Sequence, residues 1–512
     1  MKNKIALFGF LSSCILFPYV SSAQFDKAKL DSLERLINIG MKNWNIPGLA
    51  IAIVKKDSIL FMKGYGVKEI GKPEKIDAET IFNVGSVTKQ FTGATLSKLA
   101  ASGRISLDDQ VKMYIPELVL KDKLAQEDVR IKDLLCHRTG IPSEGDFATL
   151  YTNSQRERVI EKLQFLEPAY GLRNGFSYSN YAFITAGEIF PRVGFTSWDD
   201  YLKDSLLVPL EMTRTGTRYK DFLTKRNVAT PHHYHNGQVV PIKNYNYDNT
   251  APTGGMTTCI KDMTHWLRML LSNGVYKGKT ILPEEAFRQL FRAHNITTSN
   301  ASRFFSSNPD IYLRAYALGW RIYDYKKINL IEHNGQVAGM IAQVFLLPEE
   351  GIGIVILSNY DTHELERFIM NNTVNLLVNR SMEIPDEKYV NRFLKNTTQW
   401  KDEIDELERE AKGLVNPNLN PGLLGKYTNE LYGKCEIVNE RNIYTIHLLE
   451  HENLKGTLKS LNDSEILVTW DDIKFYKSIM RINDDKRRTS FILKVRPSLD
   501  TKTYAFEKDG TF

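Results

Sequence analysis

Hydrophobic and polar positions divide this chain into stretches of different period. From Phe25 to Asn43 the apolar residues Leu30, Leu33, Leu36, Ile37 and Met41 recur at steps of three and four, which predicts an amphipathic helix stopped by Pro47-Gly48. The apolar run Leu49 to Val54 and the segment Ser58 to Gly64 predict a hairpin turned at Lys55-Lys56-Asp57. Ser86 to Ala101 reads as a helix, and a helix-rich middle follows. Ile331 to Leu347 and Gly351 to Leu357 read as a second strand pair, turned at Pro348-Glu349-Glu350. Strands at both ends of a region with helices between them predict an α+β layered fold.

The pattern changes after Glu383. Glu387 to Lys412 is dense in charge and predicts a solvated helix, which Asn416-Pro417-Asn418-Leu419-Asn420-Pro421-Gly422 ends. Beyond it, short alternating runs (Cys435 to Asn439, Ile443 to Leu448, Glu465 to Trp470, Ser490 to Val495, Tyr504 to Phe506) predict a small all-β sandwich or barrel. The division expected is residues 24–384 as a main domain, 385–420 as a charged helical linker and 421–512 as a small all-β domain; 512 residues are more than one ordinary core holds.

The N-terminus carries a separate message. Lys2 and Lys4 precede the apolar stretch Ile5 to Val20, and Ser21-Ser22-Ala23 is a small-residue site, so residues 1–23 read as an export signal cleaved before Gln24. The expected location is periplasmic or secreted. Lipid attachment at Cys14, within Leu11-Ser12-Ser13-Cys14, ranks second because it would leave an apolar tail. The formal net charge of +6 is interleaved with acids, and the one basic run, Lys486-Arg487-Arg488, follows Asp484-Asp485. Nucleic acid is therefore not an expected partner. Cys136, Cys259 and Cys435 form no disulfide framework and no zinc spacing. His232, His233 and His235 read as surface polar residues of a loop, not as a metal site.

Gly85-Ser86-Val87-Thr88-Lys89 carries the chemistry. On a helix, residues three apart share a face. A serine hydroxyl beside a lysine amine forms a nucleophile and base pair. A helix start adds free N–H groups able to hold an oxyanion. Ser86 is the only serine in the chain followed by lysine three places on. Phe82 to Thr92, followed by Gly103-Arg104-Ile105-Ser106-Leu107-Asp108-Asp109, resembles the first motif of class C β-lactamases and their relatives: low-molecular-weight penicillin-binding proteins, D-amino-acid peptidases and esterases. Leu134-Leu135-Cys136-His137-Arg138-Thr139-Gly140-Ile141-Pro142 and Gly254-Gly255-Met256-Thr257-Thr258 with Asp262 resemble further landmarks of that family. The resemblance runs from about residue 26 to 370. It implies an antiparallel sheet flanked by helices plus an all-helical region, with no metal and no cofactor.

The family's Tyr-x-Asn motif occurs six times, beginning at Tyr151, Tyr178, Tyr234, Tyr247, Tyr389 and Tyr427. Gly175-Phe176-Ser177-Tyr178-Ser179-Asn180 has family-like flanks, so the resemblance assigns Tyr178 to proton transfer and Asn180 to orienting Lys89 and the substrate. The third motif, Lys-Thr-Gly or His-x-Gly, matches His-Asn-Gly-Gln-Val at both His235 and His333. The resemblance calls for an edge strand facing the nucleophile, which selects His333. Gln336 N–H would then complete the oxyanion hole with Ser86 N–H, and Gly335 would leave room for the substrate chain. His137 takes a structural hydrogen-bonding role. Histidine in place of lysine disfavours strong β-lactam hydrolysis, and it predicts that carboxylate-bearing substrates bind less well as His333 loses its proton. The expected function is two-step acyl transfer to Ser86 on an amide or ester of a small molecule or peptide. The alternative is a catalytically silent penicillin-binding-like sensor or wall-binding module. Oligomeric state is not legible.

Overall fold

The structure is a computed structural model that describes residues 25–143, 145, 149, 151–152, 154–297, 311–411, 419–451, 454–485, 488–494 and 502–509. The export signal, Cys14, Asn416 to Asn418 of the linker and Lys486-Arg487 lie outside the described residues.

Helix α1, Lys27–Trp44, begins at Asp26, whose carboxylate accepts the Lys29 N–H at 3.0 Å, and ends at Asn45 with φ 53°. Strands β1 (Gly48–Lys55) and β2 (Ser58–Gly66) form the expected hairpin, and Lys56 takes a positive φ at its turn. They belong to an eight-stranded antiparallel sheet with β3 (Asn295–Ile296), β4 (Ile311–Tyr316), β5 (Arg321–Tyr325), β6 (Ile328–Val337), β7 (Met340–Leu347) and β8 (Ile352–Ser358), in the order β2-β1-β8-β7-β6-β5-β4-β3. The run read as one strand over Ile331 to Leu347 is therefore two, turned at Ala338-Gly339. Gly339 holds φ 74°, where a side chain is disfavoured.

The central strands are apolar throughout because both faces are covered. Leu49, Ile51, Ile53, Ile352, Ile354 and Ile356 pack under α1 and a late helix, Leu365–Leu377. Ala50, Ala52, Val355 and Leu357 face the opposite core with the helices Thr88–Ala101 (α2), Asn180–Gly187 (α3) and Ile260–Leu271 (α4). Each fully buried Leu or Ile contributes about 1.5–3 kcal/mol.

The charged helix runs Glu387–Glu410, capped by Asp386. Eight strands then close into a barrel: β9 (Gly425–Asn429), β10 (Gly433–Glu440), β11 (Ile443–Leu448), β12 (Leu454–Ser460), β13 (Glu465–Trp470), β14 (Lys477–Asp485), β15 (Arg488–Lys494) and β16 (Thr503–Lys508). Closure leaves no free edge.

Candidate active site

Ser86 lies in a 3-10 turn, Gly85–Val87, just before α2. Asn83 Oδ1 accepts the Gly85 N–H at 3.0 Å, and Thr88 Oγ1 donates to Gly85 O at 2.7 Å, so the turn is tied on both sides. Gly85 has φ 51°, and a Cβ there would lie 2.8 Å from Gln336 N. Reciprocally, a Cβ on Gly335 would lie 2.8 Å from Ser86 N and 2.0 Å from Val84 O. The two glycines let the Ser86 turn and β6 interleave. Gly335 thus makes room for the backbone of the serine turn.

Strand β6 is interior in the sheet, not an edge, yet it still reaches Ser86. Its pairing with β5 ends at Glu332, while its pairing with β7 continues to Val337. Residues 333–337 consequently turn one side toward the serine.

Lys89 stands one turn after Ser86 and is 0% exposed. Its Nζ lies 3.1 Å from Ser86 Oγ, 2.8 Å from Asn180 Oδ1 and 3.0 Å from Thr253 O. Asn180, first residue of α3, also accepts from Thr253 Oγ1 at 2.7 Å, which fixes its oxygen toward the amine. The Tyr178 ring centroid is 4.7 Å from Lys89 Nζ, and the Arg321 guanidinium lies 5.9 Å from the same ring.

His137 holds the Tyr178 segment. Its Nδ1 accepts the Ser179 N–H at 3.0 Å, its carbonyl accepts the Ser177 N–H at 3.1 Å, and its ring lies 4.4 Å from that of Tyr178. Burial, then the Lys89 and Arg321 charges, hold its pKa well below 6.5, which keeps Nδ1 an acceptor.

His333 is fully buried. Tyr316 OH donates to its Nε2 at 2.7 Å, and its Nδ1 donates to Asn334 O at 2.5 Å. Burial, then Arg321 and Lys89, press its pKa well below 6.5. These surroundings favour the neutral ring over the charged one. A second cation beside the Tyr178 ring is Arg321, whose Nη1 donates to Asn334 Oδ1 at 2.6 Å and meets Glu332 Oε1 at 3.3 Å.

The structure therefore brings Ser86, Lys89, Tyr178, Asn180, His333, Gly335 and Gln336 to one place. Of the other Tyr-x-Asn copies, Tyr151 and Tyr247 belong to an aromatic cluster with Tyr245 and Phe475. The other His-Asn-Gly copy is a hairpin turn, with Asn236 at φ 48° and Gly237 at φ 81°. The histidines before it lie on a strand, His232–His235, and not in a loop. His232 and His233 are buried: His232 Nδ1 donates to Asn359 O at 2.9 Å and His233 Nδ1 to Asp361 Oδ1 at 2.8 Å. Among the described residues no cluster of His, Cys, Asp and Glu is arranged to hold a metal. Thr253, Tyr316 and Arg321 carried no signal in the sequence: Thr253 sits on the short helix Ala251–Gly254, and the other two reach the site through strand register.

A two-faced antiparallel sheet with a serine and a buried lysine one helical turn apart beside it is the architecture of β-lactamase and transpeptidase-like proteins. Residues 33–378 match the family model described as Beta-lactamase, and the chain belongs to that family of serine hydrolases. It is similar to Protein flp of Staphylococcus aureus (strain N315), 26% identical over 339 residues, which are 66% of this chain and 64% of flp. The match thus spans less than two thirds of the length of the flp proteins. It is also similar to Unguisins hydrolase ungD of Aspergillus violaceofuscus (strain CBS 115571), 24% identical over 450 residues, 82% of this chain and 78% of ungD. Among solved structures, the octameric penicillin-binding protein homologue from Pyrococcus abyssi superposes with a TM-score of 0.60 at 22% identity, covering 94% of this chain and 100% of that one. A D-stereospecific amidohydrolase from Streptomyces sp. gives 0.54 at 20%, covering 67% of this chain and 97% of that one. At these identities the structures speak for the fold alone.

Proposed function

We propose that this chain is an exported serine hydrolase that cleaves an amide or ester, in particular a small peptide carrying D-amino acids, through an acyl-enzyme on Ser86. The observation that carries this reading is the 3.1 Å contact between Ser86 Oγ and the buried Lys89 Nζ. Ser86 Oγ bonds to the carbonyl carbon while its proton passes to Lys89 Nζ. The carbonyl oxygen becomes an oxyanion held by the N–H groups of Ser86 and Gln336. Its collapse breaks the C–N or C–O bond, and the leaving atom takes a proton through Tyr178. Water then attacks the acyl carbon, Ser86 Oγ leaves and regains its proton, and the acid departs. The name of ungD, a hydrolase 24% identical to this chain, accords with hydrolysis. The buried, neutral His333 disfavours substrates that need a cation at the third motif. Export rests on residues 1–23; no helix of the described residues is long and apolar enough to cross a membrane.

The test is a panel of D-Ala peptides, p-nitrophenyl esters and nitrocefin, with fluorophosphonate labelling, on wild type and Ser86→Ala. Labelling and hydrolysis are expected in wild type and absent in Ser86→Ala. Turnover that survives in Ser86→Ala overturns the reading.

A further inference from the structure

Residues 471–476, the loop between β13 and β14 of the barrel, meet the main domain at several points close to the hydrolase site. Tyr245 OH donates to Asp472 at 2.8 Å. The Phe475 ring lies 5.1 Å from that of Tyr151. Lys474 Nζ donates to Asp361 Oδ2 at 2.7 Å, with the two side chains only 6% and 1% exposed.

Asp361 is the node. Its carboxylate also accepts from His233 Nδ1 at 2.8 Å and from the Gly339 N–H at 2.8 Å. Its carbonyl accepts from Gln336 Nε2 at 2.8 Å. Both Gln336 and Gly339 belong to the hairpin whose first strand lies against Ser86. A Cβ on Gly339 would sit 2.7 Å from His232 N, so this turn is also pressed against the strand bearing His233. A buried carboxylate keeps a fixed place only while its charge is paired. The barrel supplies that pairing in Lys474.

We infer that Lys474 is a positioning residue for hydrolysis: through Asp361 it fixes the Gln336–Gly339 turn and thereby the Gln336 N–H that receives the carbonyl oxygen. The barrel on this view completes the site, unlike an accessory module that could be removed without effect. The inference rests on the hydrolase reading proposed above.

The test compares full-length wild type, Lys474→Met, Lys474→Arg and the double variant Asp361→Asn/Lys474→Met on a p-nitrophenyl ester, at a temperature where each is folded by near-UV circular dichroism. A shift of about 1 Å in a reacting group costs about 100-fold in rate. The expected result is a fall of that order in kcat for Lys474→Met, with KM little changed and partial recovery in Lys474→Arg. The double variant, which buries no unpaired charge, is read in place of Lys474→Met should the latter not fold, and its kcat is expected to stay low. A kcat within about two-fold of wild type in the variant read overturns the inference. Fluorophosphonate labelling of wild type separates the two readings: an unlabelled wild type removes the hydrolase reading and this inference with it, and a labelled wild type with unimpaired variants overturns this inference alone.

Discussion

Gly335 passes so near Val84 that a methyl group on it would lie 2.0 Å from the Val84 carbonyl oxygen. No real contact is that short, and the neighbour is backbone, so one of the two segments must move. Gly335→Ala is expected to push β6 from the Ser86 turn. Loss of one oxyanion donor costs about 100- to 1,000-fold in kcat. The expected outcome is a fall of that order in ester hydrolysis, measured beside a far-UV spectrum that remains native.

Lys89→Met keeps the length of the side chain and removes the amine. General-base assistance contributes about 100- to 10,000-fold, and acylation is expected to slow by that much in stopped-flow labelling. The same change leaves Asn180 Oδ1 and Thr253 O without their buried Lys89 donor. Such losses cost about 1–3 kcal/mol, so a lower urea midpoint should accompany the slow acylation.

His137 and His333 are held neutral, with folded pKa values below the 6.5 of the free side chain, by burial first and then by the Lys89 and Arg321 charges. Between the folded and unfolded values the unfolded chain binds more protons. Stability is therefore fully present above 6.5 and is lost as pH falls below it. Urea midpoints are expected to drop between about pH 7.5 and about pH 5, and to drop less in His137→Asn. Asparagine tolerates the positive φ of 57° at this position and offers an acceptor oxygen to Ser179 N–H. Turnover of carboxylate-bearing substrates should show no step at the free-histidine value of about 6.5.

Asp133 is fully buried, and it fixes the segment that carries His137. Arg138 Nε lies 2.5 Å from its Oδ1 and Arg173 Nη2 2.7 Å from its Oδ2, and the Arg130 N–H donates to it at 3.0 Å. Removing the acid takes a buried carboxylate from Arg138, while Arg173 keeps Asp128 at 2.7 Å; a broken buried pair costs up to about 3–5 kcal/mol. Asp133→Ala is expected to lower the thermal midpoint by many degrees and to weaken labelling of Ser86 at temperatures where the wild type remains fully active.

Local periods reached far into this fold. Helix α1, the β1–β2 hairpin and five of the eight barrel strands follow from spacings of 3.6 and 2 residues, and the contact between Ser86 and Lys89 follows from their separation along one helix face. The pattern failed where burial is two-sided. Ile331 to Leu347 holds two strands with no polar break, and Gly339 is the sole mark of the turn. His232 and His233 read as exposed polar residues in the sequence because their partners, Asn359 and Asp361, lie more than 120 residues away in the chain. Lys474 is 113 residues from Asp361, on a different domain by the sequence reading, and no local rule connects them. Arg321 and Tyr316 enter the site only through the register of neighbouring strands.

The alternation of β1 between two cores has a consequence for folding fidelity. Leu49, Ile51 and Ile53 fill one side, while Ala50 and Ala52 occupy slots on the other. A slip of one residue would exchange these sets, forcing larger branched side chains into the places of Ala50 and Ala52 and opening voids beneath α1. A chain that must set a serine turn against a strand more than 240 residues later thus has its alignment decided twice, once from each side of the sheet.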